Sequence, residues 1–347
     1  MKSAPTIYEI AAKAGVSAAT VSRVLSGITG KRGKKKDEIL EVARQMGYRP
    51  NKAARNLVNR RSQMLGFLAS DLNNPAYVTY YHTIENFFRP RGYEILIADS
   101  ERSAEIEAAN IERMLDSRVD GLIVFPVSDW DLRLARPCAK TYAAITIPLV
   151  ILGMPVTSQF DHVHPDDGHA ARLLAKHLTN HKHRRCLFLI TGREHNPTAR
   201  SRLDAFTREF SNGRRKVRPV DYENPQWMEE CLGAILKEGF TALVGVSHHE
   251  AALFNRAAWE HGLQIPQDVS VAGFDDGNVC ELVRPAITCT HMDHIAAACR
   301  AAGLLAARLD ATRRSQKPAR IAMPYELMVR ASTAKVGAAA SLRTNRQ

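Results

Sequence analysis

Of the 48 Lys and Arg residues in this 347-residue chain, fourteen fall within residues 1–63, against four acids there: Glu9, Asp37, Glu38 and Glu41. That stretch carries +10 of the net +12, and the remaining 284 residues carry +2. A basic head on a near-neutral body is chemistry for a polyanion gripped by the head alone. The side chains that do covalent or metal chemistry are not grouped in working patterns. The histidines of "HVH" (162–164), "HKH" (181–183) and "HMDH" (291–294) lack a third ligand at metal spacing. The six cysteines (138, 186, 231, 280, 289 and 299) form no C-x-x-C pair and read as reduced, mostly buried small residues. There is no G-x-S-x-G elbow, P-loop, G-x-G-x-x-G or H-E-x-x-H. Asp275 and Asp276, adjacent at a strand end, point to different faces. Neither a metal nor a cofactor is expected, and the pattern argues against an enzyme.

The head reads as three short helices. Residues 6–13 set Ile7, Ile10 and Ala11 on one face with Thr6 as cap. In "GVSAATVSRVLSG" (15–27), Gly15 supplies a turn and Ser17 caps a helix over about 18–26 with Val21, Val24 and Leu25 inward. A third helix at about 35–47 shows Ile39, Leu40, Val42, Ala43 and Met46 and stops at Gly47. Helix, glycine turn and helix at this spacing form the helix-turn-helix pattern, a device for the DNA major groove. "YRPNKAARNLVNRRS" follows, a linker whose two possible helical turns are marginal alone.

From residue 64, strand-like runs alternate with helical ones: "MLGFLAS", "YEILIADS", "DGLIVFPV", "PLVILGM", "RCLFLITG", "TALVGVS" and "DVSVAGFDD". Such alternation implies parallel sheets covered on both faces. About ten strands are too many for one small sheet, which implies two doubly wound halves with a ligand cleft between them. The tail has no apolar period and no leucine heptad. No run approaches the roughly 18 apolar residues of a membrane span. The head lacks the face of an interfacial helix, and the N-terminus lacks an apolar signal core. The expected location is the cytoplasm.

The motifs "TIYEIAAKAGVSAATVSRVLSG", "GYRPNKAARNL", "DGLIVFP", "HRRCLFLITG", "PTARSRLDAF" and "IPQDVSVAGFDD" resemble, in order, those of LacI/GalR-family transcription regulators. The resemblance runs from Thr6 to about Ala331. It implies an all-α helix-turn-helix head (1–49), a hinge helix (50–63), and an α/β body (64–334). The body would be two doubly wound parallel-sheet subdomains of periplasmic-binding-protein type. One would use about 64–162 and 293–321, the other about 163–292 and 322–334, with a disordered tail at 335–347.

By this resemblance, Ala18 and Ala19 sit where bases are read, offering only methyl contact and steric selection. Arg23 matches a position able to pair bidentately with guanine. Thr6, Tyr8, Ser17 and Thr20 match phosphate-holding positions, although Ser17 can simply cap and Tyr8 simply pack. Leu57 matches the wedge that pries open a central base step, flanked by Asn51, Ala54 and Arg55. A pair of wedges implies a homodimer on a pseudo-palindromic operator with a central CG step. The chain departs from the family where a capping Ser or Thr normally precedes helix three. Lys34, Lys35 and Lys36 there oppose the helix dipole, a cost that contact with DNA phosphates would offset.

For the cleft, the resemblance carries over Tyr77, Phe125, Asn196, Arg200, Tyr222, His249 and Asp275. Asp275 would accept hydroxyl hydrogen bonds, Arg200 would clamp an anion or hydroxyls, and Tyr222 would stack on a ring. "SHHEAAL" replaces the family's usual "ANDxxAL", so His248 and His249 stand where an Asn–Asp pair grips a sugar. That exchange favours a ligand with an acid group, unless a histidine is merely solvated beside the cleft.

The reading is a repressor of transcription whose effector, a sugar, sugar acid or related metabolite, shifts the body halves and so the hinge helices. The rival is a cytoplasmic small-molecule-binding protein with only non-specific DNA affinity. A transporter's solute-binding protein and a nucleoid protein fit less well. Replacing Lys34, Lys35 and Lys36 together with alanine removes six lysines from a bound dimer and is expected to flatten the slope of log Kobs against log[salt] for DNA binding by roughly 5. An unchanged slope would remove these lysines from the interface.

Overall fold

The computed structural model describes residues 5–25, 33–48, 61–129, 132–153, 158–191, 196–211, 213–310 and 317–337. The chain divides into two units, residues 1–64 and 65–347, each described by itself. Asn51, Ala54, Arg55 and Leu57, and with them the hinge helix, lie outside the described residues.

The head holds α1 (Ile7–Ala14), α2 (Ala18–Leu25) and α3 (Lys34–Gln45). Thr6 and Glu9 cap α1 reciprocally. The Thr6 hydroxyl accepts from the Glu9 N–H at 3.3 Å, and the Glu9 carboxylate accepts from the Thr6 N–H at 2.6 Å. Gly15 ends the helix in the left-handed region (φ 64°), which a Cβ would disfavour. Ile10, Ala11, Ala14, Val21, Val24, Ile39 and Ala43 form the core. Leu40, expected among the inward residues, is exposed, because Ile39 and Ala43 already occupy the face of α3 turned to α1 and α2. The start of α3 at Gly33 has no side-chain cap.

In the body, one six-stranded sheet has the order β11-β5-β4-β3-β1-β2 and the other β12-β10-β9-β8-β6-β7. The first comprises β1 (Met64–Ala69), β2 (Glu94–Asp99), β3 (Gly121–Val124), β4 (Leu149–Leu152), β5 (Asp161–Pro165) and β11 (Arg320–Met323). The second comprises β6 (Arg185–Ile190), β7 (Lys216–Asp221), β8 (Ala242–Gly245), β9 (Ser270–Gly273), β10 (Thr288–Met292) and β12 (Tyr325–Met328). The helices that matter below are α4 (Pro75–Phe88), α5 (Ala104–Asp116), α6 (Ala135–Ala143), α7 (Asp167–Asn180), α8 (Pro197–Phe210), α9 (Trp227–Glu238), α10 (His248–Glu260), α11 (Val279–Leu282) and α12 (His294–Leu309). No described helix is long and apolar enough to cross a membrane.

The strand count exceeds the ten expected. β12 also runs antiparallel to β10, with Cys289 opposite Met328 and Met292 opposite Tyr325, so the second sheet is not wholly parallel. This edge strand follows β11 after Pro324 alone, too short a link for a parallel crossover. β7 carries Pro219, tolerated because β7 is the other edge of that sheet. The chain passes between sheets three times: after β5, after β10 and between β11 and β12. The subdomain boundaries expected at about 162 and about 321 lie within β5 and β11, which pair with each other from His162–Arg320 to Pro165–Met323. Buried residues from both sheets, among them Phe67, Val150, Phe188 and Val244, belong to one continuous hydrophobic cluster.

The tail was expected to begin at 335, yet the Val336 N–H donates to the His181 carbonyl at 2.9 Å. This segment is held by two buried histidines. His177 Nε2 pairs with Thr333 Oγ1 at 2.9 Å, and His183 bridges Thr241 Oγ1 (2.9 Å) and the Ala334 carbonyl (3.1 Å). Burial lowers both imidazole pKa values to about 4. An unfolded chain therefore takes up protons below pH 6.5 that the fold refuses. The stability these groups contribute is complete above pH 6.5 and falls away as the pH drops to 4. His183→Gln should cost about 2 kcal/mol at pH 7. Its melting-temperature deficit against wild type should shrink at pH 4.5, and a deficit constant with pH would contradict this account.

Candidate nucleic-acid interface and effector cleft

On the head, Tyr8 projects into solvent with 77% of its surface exposed, which rules out a purely packing role. Ser17 acts as a cap, its hydroxyl accepting from the Thr20 N–H at 3.2 Å and pairing with Thr20 Oγ1 at 2.9 Å. Ala19 and Arg23 are exposed on α2, whereas Ala18 leans on the core. Arg23 Nε reaches the Ala19 carbonyl at 3.4 Å, a weak contact that keeps its base close to the helix. Lys35 pairs with Glu38 at 3.0 Å; both are about half exposed, so the pair contributes little to stability. Thr6, Tyr8, Ser17, Ala19 and Arg23 thus share one small, solvent-facing unit.

In the body, the densest polar group surrounds Asp275, just past the carboxyl end of β9. Asp275 adopts a left-handed backbone (φ 61°), uncommon for a residue with a side chain and a mark of sites where function sets geometry. Arg202 of α8 forks onto it, Nη1 to Oδ2 at 2.7 Å and Nη2 to Oδ1 at 3.0 Å. The same guanidinium donates to Asp167 Oδ1 (3.0 Å), the Val246 carbonyl (2.9 Å) and the Tyr325 hydroxyl (3.2 Å). Tyr325 in turn donates to Asp275 Oδ1 at 3.1 Å. Burial alone would raise the Asp275 pKa, but the Arg202 charge outweighs it and holds the carboxyl below its usual range. For Asp167, more deeply enclosed, burial prevails and its pKa rises.

The facing wall is aromatic. Phe125, after β3, meets Tyr77 and Tyr80 of α4 edge-on at centroid distances of 4.5 and 4.8 Å. The Tyr77 hydroxyl bonds Ser70 Oγ at 2.6 Å. His294, at the start of α12, lies 3.2 Å from the Tyr80 hydroxyl, and burial lowers its pKa despite the nearby Asp275. His248, opening α10, rests on Gly277, where an added Cβ would lie 2.5 Å from its Nε2. His248 Nδ1 is buried with no hydrogen-bond partner among the described residues. His248 and His294 both lie near enough to Asp275 to interact with its carboxylate.

The sequence-derived residues therefore divide. Tyr77, Phe125, His248 and Asp275 come together. Arg200 does not join them, since its side chain is 64% exposed and sits 3.9 Å from Asp204. Arg202 takes the inner position because 199, 202, 203 and 206 share the buried face of α8. Asn196 is engaged as the cap of α8, accepting from the Ala199 N–H at 2.9 Å. Tyr222 packs on Trp227 at 5.3 Å, and His249 is exposed. Arg202, Tyr80, His294 and Tyr325 were missed. Helical spacing marks the first two, Tyr80 lying three residues after Tyr77. One group among the described residues, Asp276 with Cys280 and Cys289, is close enough to hold a metal ion. The Arg330 guanidinium already supplies the positive charge there, 3.0 and 2.9 Å from Asp276.

A helix-turn-helix unit joined in one chain to a two-sheet body, with a polar and aromatic cluster around Asp275 at a strand's carboxyl end, defines a DNA-binding regulator with a sensory body. The LacI family of bacterial regulatory proteins matches residues 6–51, and the periplasmic binding protein-like domain matches residues 175–333. The HTH-type transcriptional regulator AscG of Escherichia coli is 30% identical over 303 residues, covering 82% of this chain and 85% of its own. The HTH-type transcriptional repressor PurR of Pasteurella multocida is 25% identical over 335 residues, covering 94% and 98%. Among solved structures, the lac repressor dimer bound to operator and the anti-inducer ONPF superposes with a TM-score of 0.78 at 22% identity, over 96% of this chain and all of that one. The chain belongs to the LacI family and is a DNA-binding transcriptional regulator.

Arg202→Met should destabilise the body by about 3–5 kcal/mol, because it leaves Asp167 and Asp275 buried without their cation. Arg200→Met should stay within about 0.5 kcal/mol of wild type. Urea midpoints of the two variants check this, and equal midpoints would refute the assignment of Arg202 as the inner arginine.

Proposed function

We propose that the protein is a homodimeric repressor that binds a pseudo-palindromic operator and is controlled by a small, hydroxyl-rich ring compound in the cleft. Its work is binding rather than catalysis, carried out in the cytoplasm where its DNA lies. The observation that carries the reading is Asp275. Its left-handed carboxylate, fixed by Arg202 and Tyr325, faces an aromatic wall from the other sheet. A carboxylate with lone pairs to spare, two imidazoles and an apolar ring surface together suit a sugar: hydroxyls to Asp275, His248 and His294, and the ring face to Tyr80 and Phe125.

Between a neutral sugar and a sugar acid, the arrangement favours the neutral one. The acid reading relied on Arg200, which pairs with Asp204 outside this group. The inner arginine has all five of its N–H donors engaged with Asp167, Val246, Asp275 and Tyr325. His294 is held towards its neutral form by burial. Asp275 belongs to the second sheet and Tyr80 to a helix on the first, so a ligand touching both biases the relative position of the halves. In this mechanism that bias reaches the hinge helices and alters operator affinity. Thr6, Tyr8, Ser17 and Thr20 serve as phosphate contacts, Ala19 and Arg23 read bases, and Lys34, Lys35 and Lys36 hold the flanking backbone.

Selection of bound duplexes from randomised DNA at two salt concentrations, followed by calorimetry with neutral sugars and their matched acids, tests this. Enrichment of one pseudo-palindrome that survives higher salt, and a neutral sugar that binds and shifts operator affinity, is the expected result. Salt-sensitive binding with no enriched sequence, with or without the sugars, would favour a small-molecule-binding protein with only non-specific DNA affinity.

A further inference from the structure

Beyond Asp275 the chain enters a second charged cluster that the cleft does not use. The Cys289 thiol on β10 donates to Asp276 Oδ1 at 3.1 Å, and Arg330 Nη1 lies 2.9 Å from the same sulfur. Arg330 holds its place by forking onto Asp276 and by donating to the Ile287 carbonyl (2.9 Å) and Glu281 (3.1 Å). Cys280 of α11 adjoins them: both sulfurs and an Asp276 oxygen lie within 4.8 Å of one another. Both cysteines are fully buried, but the rim is not: the His291 side chain is 40% exposed and that of Glu281 73%.

The two thiols differ in acidity. When Cys280 ionises, the Cys289 S–H turns from Asp276 to donate to its thiolate, and this, with a smaller contribution from Arg330, lowers the Cys280 pKa below the ordinary thiol value against the opposing effect of burial. That same hydrogen bond, burial and the Asp276 carboxylate push Cys289 far up. Two thiols on different elements within 4.8 Å of each other, with a guanidinium 2.9 Å from one sulfur, are the arrangement of a nucleophilic cysteine and its resolving partner. The remaining cysteines have no comparable setting: Cys138, Cys186 and Cys231 are buried, and Cys299 is exposed.

We propose that Cys280 and Cys289 form a modification site at which hydrogen peroxide or a similarly small hydroperoxide produces a disulfide joining α11 to β10 beside the cleft. The Cys280 thiolate attacks the peroxide, forming an S–O bond as the O–O bond breaks, and the departing hydroxide leaves as water with the proton Cys280 gave up. The Cys289 sulfur then attacks the sulfenic acid. The S–S bond forms, the S–O bond breaks, and a second water leaves carrying the Cys289 proton. Each sulfur gives up one electron and the peroxide is reduced to two waters. The thiol proton that Asp276 accepts in the reduced protein is thereby lost. Asp276 directly follows Asp275, so oxidation alters the support of the cleft carboxylate.

The test uses the full chain treated with hydrogen peroxide, blocked with an alkylating agent and mapped by mass spectrometry without reduction. The expected result is a linked Cys280–Cys289 peptide lacking two hydrogens, restored by dithiothreitol. C289S should accumulate a Cys280 sulfenic acid that dimedone traps, whereas C280S should leave Cys289 reduced. A wild-type map with both thiols free after oxidation, a bridge through Cys299, or first oxidation at Cys289 would overturn the proposal. The wild-type map decides even if a serine variant folds poorly.

Discussion

A buried guanidinium is tolerable only when every one of its five N–H groups meets an acceptor, and the body is organised around meeting that condition for Arg202. Its acceptors come from the start of α7, the turn after β8, the second residue after β9 and the strand β12. None of these segments can shift without stranding a donor. The left-handed backbone of Asp275 is explained in the same way. A strain of about 1–3 kcal/mol at that residue is offset by the two charge-assisted bonds and the tyrosine hydroxyl that its carboxylate receives there.

The head follows a different logic. Its core is seven small and medium apolar residues, and its helix ends are handled unequally. α1 has a complete capping box and a glycine terminator, while α3 begins uncapped behind Gly33 with three lysines. Local rules broken at one place and kept everywhere else mark a site where another requirement dominates. A cationic helix start is unfavourable for the isolated head and favourable beside a phosphate backbone.

Much of this was legible in the sequence because the physical signals were local. The three head helices appear in the spacing of Ile10, Val21, Val24 and Ile39, and the stops at Gly15 and Gly47 are conformational requirements readable from composition. The strands recognised first, such as "DGLIVFPV" and "RCLFLITG", are continuous hydrophobic runs buried along nearly their whole length. Strands that carry charged, histidine or proline residues were harder. β5 reads "DHVHP" and β7 "KVRPVD", and neither pattern suggests a strand until a neighbour is present. The cleft was legible where a motif fixed the backbone, as at Asp275, and misread where two similar residues competed. Arg200 and Arg202 differ only in the face of α8 they occupy, and the apolar spacing of 199, 203 and 206 already distinguished them. Tyr325 is contributed by a strand far away in sequence and carried no local signal.

The three passages of chain between the sheets bear on how the protein is made. The first sheet has an edge position filled by β11 and the second by β12, the last two strands in the chain. A nascent polypeptide emerging from the ribosome therefore cannot complete either half of the body in turn. Both sheets stay open at one edge until residues 320–328 have been made, and β11 and β12 then close them within a few codons of each other. The head, by contrast, has every fully buried core residue among those described in hand after residue 43, so it can fold on the ribosome long before the body.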